Sequence, residues 1–113
     1  MNNFESSVTY NKSYKFAIRI VNLYKYLQNE HKEFTLRSDT AIGALIREAK
    51  YAQSNADFIN KLSIALKEAN ECNYWIDLLY DTDFLRKNMY DSIKRDIEEL
   101  LKLLISTIKT LKG

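Results

Sequence analysis

Proline is absent from this chain of 113 residues, and glycine occurs only at Gly43 and Gly113. Hairpin turns and phosphate-binding loops both rely on glycine, for positive φ or for close approach of the backbone to a ligand. Sheets and nucleotide-binding loops are therefore disfavoured together. The sequence predicts an all-α protein with one domain over residues 1–113.

Cysteine and histidine are nearly missing, with one of each at Cys72 and His31. A lone cysteine cannot form an internal disulfide, and Cys72 falls on an apolar stripe, where a thiol behaves as a small hydrophobe. His31 is predicted to cap the end of a helix. Metal sites in bundles use several inward carboxylates and histidines, and nucleophilic catalysis needs a nucleophile beside a base. We therefore expect no metal, no cofactor and no enzymatic activity.

Long apolar runs are missing as well. No window approaches 18 uninterrupted apolar residues, and the first ten residues contain neither a basic leader nor an apolar segment. We expect no membrane association and a cytoplasmic location.

Helical periodicity is what the sequence does contain. One heptad stripe alternates spacings of four and three, as helices packed lengthwise require, and consists of Phe58, Leu62, Ala65, Ala69, Cys72, Ile76 and Leu79. Weaker stripes are Phe16, Ile20, Leu23, Tyr24 and Leu27; Ile42, Leu45, Ala49 and Ala52; and Ile93, Ile97, Leu100, Leu104, Ile108 and Leu111. Helices are predicted at about 13–31, 36–53, 55–80 and 84–111, after a flexible lead at 1–11. Because the connections are short, we predict a left-handed, antiparallel, up-down-up-down four-helix bundle.

Three local features refine this prediction. Gly43 costs roughly 1 kcal/mol relative to alanine inside a helix, which predicts compensation by close approach of another helix. Ser54 and Asp57 have the spacing of a capping box at the start of helix three. Residues 81–83 are predicted to form the turn and the N-cap of helix four.

Apolar residues also lie outside the core stripes. A bundle helix is normally polar on its outer side, yet helices one and three carry a second set there: Tyr14, Ile18, Ile64, Trp75 and Leu78. Exposed apolar patches mark contacts with other proteins. These residues are the predicted interface of a homo-oligomer.

Basic residues suggest a nucleic-acid interface, although the net charge is only +2. Helix four spaces three of them seven apart, and helix one places three more on one side: Arg95, Lys102 and Lys109, with Lys12, Lys15 and Arg19. Aligned bases of this kind neutralise phosphates. The alternative is an ordinary solvated face, with i,i+4 pairs from Asp91 to Arg95 and from Glu98 to Lys102.

The order of features in residues 41–79 resembles the bacterial four-helix-bundle family that includes the 23S rRNA-intervening sequence proteins. The similarity is carried by Ala41-Ile42-Gly43-Ala44, by Arg47-Glu48-Ala49, by residues 54–71, by Tyr74-Trp75 and by Leu78-Leu79, and it extends over about 14–111. It implies a ring, most often a pentamer. It also implies distant kinship with the accessory protein of diversity-generating retroelements, which works with a reverse transcriptase and RNA. The asparagine that the family often has two residues after the glycine is Leu45 here, so no polar role is carried over.

Two functional hypotheses follow. The preferred one is a non-enzymatic oligomer that binds RNA or a ribonucleoprotein partner through its basic helix surfaces. The alternative is a scaffold that binds another protein, with no role for nucleic acid.

Overall fold

Four helices form the described part of the chain, which in this computed structural model comprises residues 8–31 and 41–113, with side chains described at 8–27 and 41–113. The helices are α1 (Val8–His31), α2 (Ala41–Ala49), α3 (Asn55–Asp81) and α4 (Lys87–Lys112). No strand occurs among these residues. The predicted all-α class is confirmed, while the predicted roles of residues 1–7 and of the His31 side chain lie outside the described residues.

The core follows the predicted stripe of α3 without exception. All seven residues of the stripe from Phe58 to Leu79 are buried. The heptad spacing explains this, because it keeps one side of a long helix in contact with its neighbours over its full length. On α4 the buried residues are Ile93, Ile97, Leu100, Leu104 and Ile108, whereas Leu111 is exposed near the end of the helix.

α1 begins earlier than the apolar pattern predicts. Its first residue is Val8, so residues 8–11 are helical and do not belong to a flexible lead. Thr9 and Ser13 are buried and continue the stripe of Phe16 and Ile20 at spacings of four, three and four. The Ser13 hydroxyl donates to the Tyr10 carbonyl at 2.8 Å, which satisfies this polar group inside the bundle. Small polar residues thus occupy core positions that cannot be identified from a pattern of apolar residues alone.

α2 ends earlier than predicted. The helix stops at Ala49, and the N–H groups of Lys50, Tyr51 and Ala52 then donate to carbonyls only three residues back. Its buried residues are Ile42, Ile46 and Ala49, whereas Leu45 and Ala52, which were predicted for the stripe, are half-buried. The predicted start of this helix, residues 36–40, lies outside the described residues.

α4 begins three residues later than predicted because residues 82–84 complete the end of α3. Asp83 has φ 68°, the left-handed conformation that commonly terminates helices. The Phe84 N–H donates to the Leu79 carbonyl at 2.8 Å, and the Asp83 N–H donates to the Tyr80 carbonyl at 3.1 Å. This pair of bonds is a Schellman motif. Asp83 therefore ends α3, and the N-cap of α4 is Arg86.

The helices contact one another in a closed cycle. α1 packs against α2 and α4, and α3 packs against the same two helices. α1 and α3 therefore occupy opposite corners of the bundle. Gly43 of α2 makes the predicted close approach, since a Cβ built there would lie 3.3 Å from the Cβ of Ala17 on α1.

The helices α3 and α4 have an antiparallel register. Along α4 and α3, contacts join Tyr90 to Tyr80 and Lys94 to Asn73, so residue numbers rise on one helix as they fall on the other. The predicted up-down-up-down order agrees with this register, and it stays a prediction together with the left-handed sense. None of the described helices is both long and apolar enough to cross a membrane.

Candidate nucleic-acid interface and assembly surfaces

The basic stripe of α4, which we define as Arg95, Lys102 and Lys109, is exposed at all three positions. A spacing of seven residues is nearly two full turns, so the three side chains leave the helix in similar directions about 10.5 Å apart along its axis. None of them forms an ion pair with another described residue. Three positive charges are thus held in line on a rigid helix, with donor groups available to an anionic partner.

The i,i+4 pairs that would neutralise this stripe do not form among the described residues. Asp91 lies four residues before Arg95, but it accepts a hydrogen bond from Lys87 at 3.0 Å on its other side. That contact raises the pKa of Lys87 through the hydrogen bond and the charge of Asp91. Glu98 forms no ion pair with Lys102.

The basic residues of α1 have a different environment. Lys12 forms an ion pair with Glu99 of α4, and Arg19 forms one with Asp96 of the same helix. Arg19 also donates to the Ser92 hydroxyl at 3.0 Å. Two of the three α1 cations predicted for the interface thus join α1 to α4, and Lys15 is the exposed one of these three that has no ion pair within the described chain.

A polar network between α3 and α4 is the feature that sequence reasoning missed. The Tyr90 hydroxyl donates to Oδ1 of Asp77 at 2.6 Å, and Lys94 Nζ donates to the same oxygen at 2.7 Å. Lys94 also donates to Oδ1 of Asn73 at 2.5 Å, and the Tyr90 ring stacks on Tyr80 with centroids 4.2 Å apart. A signal existed, because the polar pairs 73/77 and 90/94 both have i,i+4 spacing beside the core stripes.

The electrostatics of this network follow from its hydrogen bonds. Burial raises the pKa of Asp77, but the hydrogen bonds from Lys94 and Tyr90 and the charge of Lys94 outweigh it, so the pKa lies below its ordinary value. The hydrogen bond to Asp77, with burial and nearby carboxylates, raises the pKa of Tyr90 to about 12. All three groups serve to bind α3 to α4.

The residues predicted for an oligomer interface lie on two separate surfaces. On α1, Tyr14 is 54% exposed and Ile18 is 46% exposed. On α3, Trp75 is 45% exposed and Ile64 is 38% exposed, whereas Leu78 is half-buried. Because α1 and α3 are at opposite corners, the structure does not bring the two surfaces together.

A shallow depression runs along the outer side of α3 beside Trp75. Tyr74 packs edge-on against Trp75 with ring centroids 5.5 Å apart. The depression is lined by residues of this one helix: Ser63, Leu66, Lys67, Asn70, Glu71, Tyr74 and Trp75. Its apolar floor and open shape suit a protein surface better than an enclosed small ligand.

Across residues 8–27 and 41–113, no group of three or more His, Cys, Asp or Glu side chains is arranged to hold a metal ion. Cys72 is fully buried in the core. Exposed cations on α4 and α1, and exposed aromatic and aliphatic side chains on α1 and α3, are features that can meet a partner.

Comparisons with known proteins give a consistent picture. The family model of the 23S rRNA-intervening sequence proteins matches residues 5–106. A crystal structure of a protein of unknown function from the S23 ribosomal protein family of Bacteroides thetaiotaomicron is similar, with 60% sequence identity and a TM-score of 0.86. That alignment covers 90% of this chain and 96% of the Bacteroides chain. No curated protein matches.

Proposed function

Since the chain belongs to the family of 23S rRNA-intervening sequence proteins, we propose that it is a non-enzymatic, oligomeric bundle protein that binds RNA through the basic stripe of α4. The observation that carries the proposal is the exposure of Arg95, Lys102 and Lys109 in one line, without ion pairs to other described residues. The names of the family and of the Bacteroides relative refer to 23S rRNA and to ribosomal proteins, which agrees with an RNA partner.

Self-association is the second part of the proposal. Tyr14, Ile18, Ile64 and Trp75 are between 38% and 54% exposed, and exposed apolar patches often mark contacts with other proteins. A closed ring, for which we expect five copies, would bury this surface and repeat the α4 stripe around one particle. Measurement of the absolute molar mass by light scattering tests it, and a particle of 13.3 kDa at micromolar concentration would overturn it.

Titration with a structured RNA at several salt concentrations tests the RNA-binding part. Each phosphate contact contributes about 0.7 to 0.9 to the slope of log K against log salt. The triple variant Arg95→Gln/Lys102→Gln/Lys109→Gln should bind more weakly and show a shallower slope. A matched control, Lys50→Gln/Arg86→Gln/Lys87→Gln, removes the same total charge from positions outside the α4 stripe and the two exposed apolar surfaces, and should bind nearly as wild type does.

The α1 cations provide a graded comparison. We expect Lys15→Gln to weaken RNA binding, because Lys15 is exposed without an ion pair in the described chain. Lys12→Gln should have a smaller effect on binding, because Glu99 already neutralises Lys12. If wild-type protein binds no RNA at low salt, the RNA proposal fails, and the scaffold that binds another protein becomes the better interpretation.

A further inference from the structure

The two exposed apolar surfaces differ in charge as well as in position. We define the α1 face as Tyr14, Ile18 and Lys25 together with Arg47 of α2, and the α3 face as Ile64, Glu68, Glu71 and Trp75. α1 and α3 each pack between α2 and α4, so the two faces point away from each other. One copy of the chain therefore cannot bury one face against the other.

The α1 face is apolar with a positive surround. Spacings of four and seven place Tyr14, Ile18 and Lys25 on one line of the helix, and all three are exposed. The guanidinium of Arg47 lies over the Tyr14 ring, 5.2 Å from its centroid. Residues 8–27 contain no acidic residue, so nothing on this part of α1 offsets the positive charge.

The α3 face is apolar with a negative centre. Spacings of four, three and four place Ile64, Glu68, Glu71 and Trp75 on one line. Neither glutamate forms an ion pair with any residue of the described chain. Lys61 and Lys67 lie at the margins of the face, about 60° around the helix from Ile64 at 100° per residue. The two carboxylates alternate with the apolar residues along its middle.

We propose that the α1 face of one copy docks on the α3 face of a second copy, so that this protein self-associates head to tail. Two unlike surfaces on opposite sides of a protomer give a heterologous contact, which forms a ring when the rotation closes. Opposite charges at the centre of such a contact fix its register and disfavour the like-with-like pairings. Tyrosine, arginine and tryptophan, the residue types that dominate binding energy at interfaces, all occur on the two faces.

The arrangement rests on the self-association proposed above and specifies its geometry. The basic stripe of α4 belongs to neither face. Head-to-tail assembly therefore leaves Arg95, Lys102 and Lys109 exposed on every copy, available to an RNA at the same time.

Charge inversion with complementation tests the proposal. One variant carries Lys25→Glu/Arg47→Glu, and the other carries Glu68→Lys/Glu71→Lys. Each variant alone should dissociate to the monomer at micromolar concentration, with an apparent dissociation constant raised at least about 100-fold, because like charges now meet at every contact. The combined variant Lys25→Glu/Arg47→Glu/Glu68→Lys/Glu71→Lys inverts both faces in one chain. It should associate again to the wild-type mass, because every contact is then oppositely charged whatever the number of copies in the ring.

Two controls keep the outcome interpretable. Lys87→Glu/Asp91→Lys inverts an ion pair on α4 away from both faces and should leave the molar mass unchanged. Circular dichroism should show wild-type helicity for all variants, since each altered side chain is at least partly exposed. If either face variant alone keeps the wild-type mass, or if the combined variant stays monomeric, the head-to-tail arrangement is overturned while self-association stands. A wild-type monomer would overturn both.

Discussion

The Tyr90 hydroxyl donates a hydrogen bond of 2.6 Å to Oδ1 of Asp77, and this contact ties the beginning of α4 to the last third of α3. The same oxygen accepts a second bond from Lys94 at 2.7 Å. One carboxylate thus organises the polar side of a helix pair whose other side is apolar core. Its protonation state should therefore be coupled to the stability of the bundle.

Acid should weaken the bundle through Asp77. The folded-state pKa of this carboxyl is lowered by Lys94 and Tyr90 in spite of burial. The contribution of Asp77 to the free energy of unfolding is therefore complete above the unfolded-state pKa of about 3.9. It is lost as the pH falls through the folded-state pKa. Asp77→Asn should destabilise the protein by roughly 1 kcal/mol at neutral pH. In urea unfolding followed by circular dichroism, the difference from wild type should shrink towards pH 2, and a constant difference would contradict this assignment.

High pH should lower the stability of the bundle through ionisation of Tyr90. Its folded-state pKa of about 12 is above the ordinary value of about 10, so its stabilising contribution is complete below pH 10 and is lost as pH rises towards 12. Spectrophotometric titration of tyrosinate in the folded protein should show a late phase that comes from Tyr90. Tyr90→Phe should remove that late phase, whereas Tyr51→Phe, at an exposed position, should leave it in place.

Gly43 should tolerate alanine and reject larger side chains. Alanine gains about 1 kcal/mol of helix propensity, but its Cβ would lie 3.3 Å from the Cβ of Ala17, so we expect a net change within about 1 kcal/mol. Gly43→Leu should lower the free energy of unfolding by roughly 2 kcal/mol or more, because α1 would have to move. Ala44→Leu, on the exposed side of the same helix, is the control and should leave urea stability nearly unchanged.

The parts of this structure that the sequence predicts are those with strong local periodicity. The seven-residue stripe of α3 is buried as predicted, because a heptad of apolar residues defines which side of a helix packs. The predicted start of α1 was wrong because Thr9 and Ser13 occupy core positions although neither residue is hydrophobic. The start of α4 was wrong because Asp83 adopts a left-handed conformation, which a Thr-Asp pair does not distinguish from an N-cap.

The candidate interfaces were only partly predictable for a different reason. Exposure of Arg95, Lys102 and Lys109 follows from helical spacing alone. The pairing of Lys12 with Glu99 and of Arg19 with Asp96 depends on which helices are neighbours and on their register, and no local pattern contains that information. The network around Asp77 depends on the same tertiary contacts.

Asp83→Gly should stabilise the protein. At φ 68° a residue with a Cβ has a steric cost that glycine avoids, and we expect a gain of about 0.5 kcal/mol because glycine also has more freedom in the unfolded chain. Asp83→Val should destabilise by about 1 kcal/mol or more, since a β-branched side chain fits this conformation poorly. Thermal unfolding at neutral pH would rank the three proteins, and a valine variant as stable as the glycine variant would contradict the role of the Schellman motif.

Substitution of the N-cap residue should lower the stability of the protein at α3 and raise it at α4. Ser54 accepts the Asp57 N–H at 3.0 Å, while the Asp57 carboxylate accepts the Gln53 N–H at 3.2 Å, so Ser54→Ala should cost about 1 kcal/mol. Arg86, the N-cap of α4, makes no side-chain capping bond and places a positive charge at the positive end of the helix dipole.

Arg86→Asp should therefore stabilise the bundle by about 1 kcal/mol, because its carboxylate can accept an unsatisfied N–H of the first turn and has the favourable charge. Arg86→Ser is the neutral control. It should show only the part of the stabilisation that comes from the side-chain capping hydrogen bond. Urea unfolding in low and high salt separates the two contributions, because salt screens the dipole interaction. If Arg86→Asp proves no more stable than wild type, the first turn of α4 does not limit the stability of the bundle.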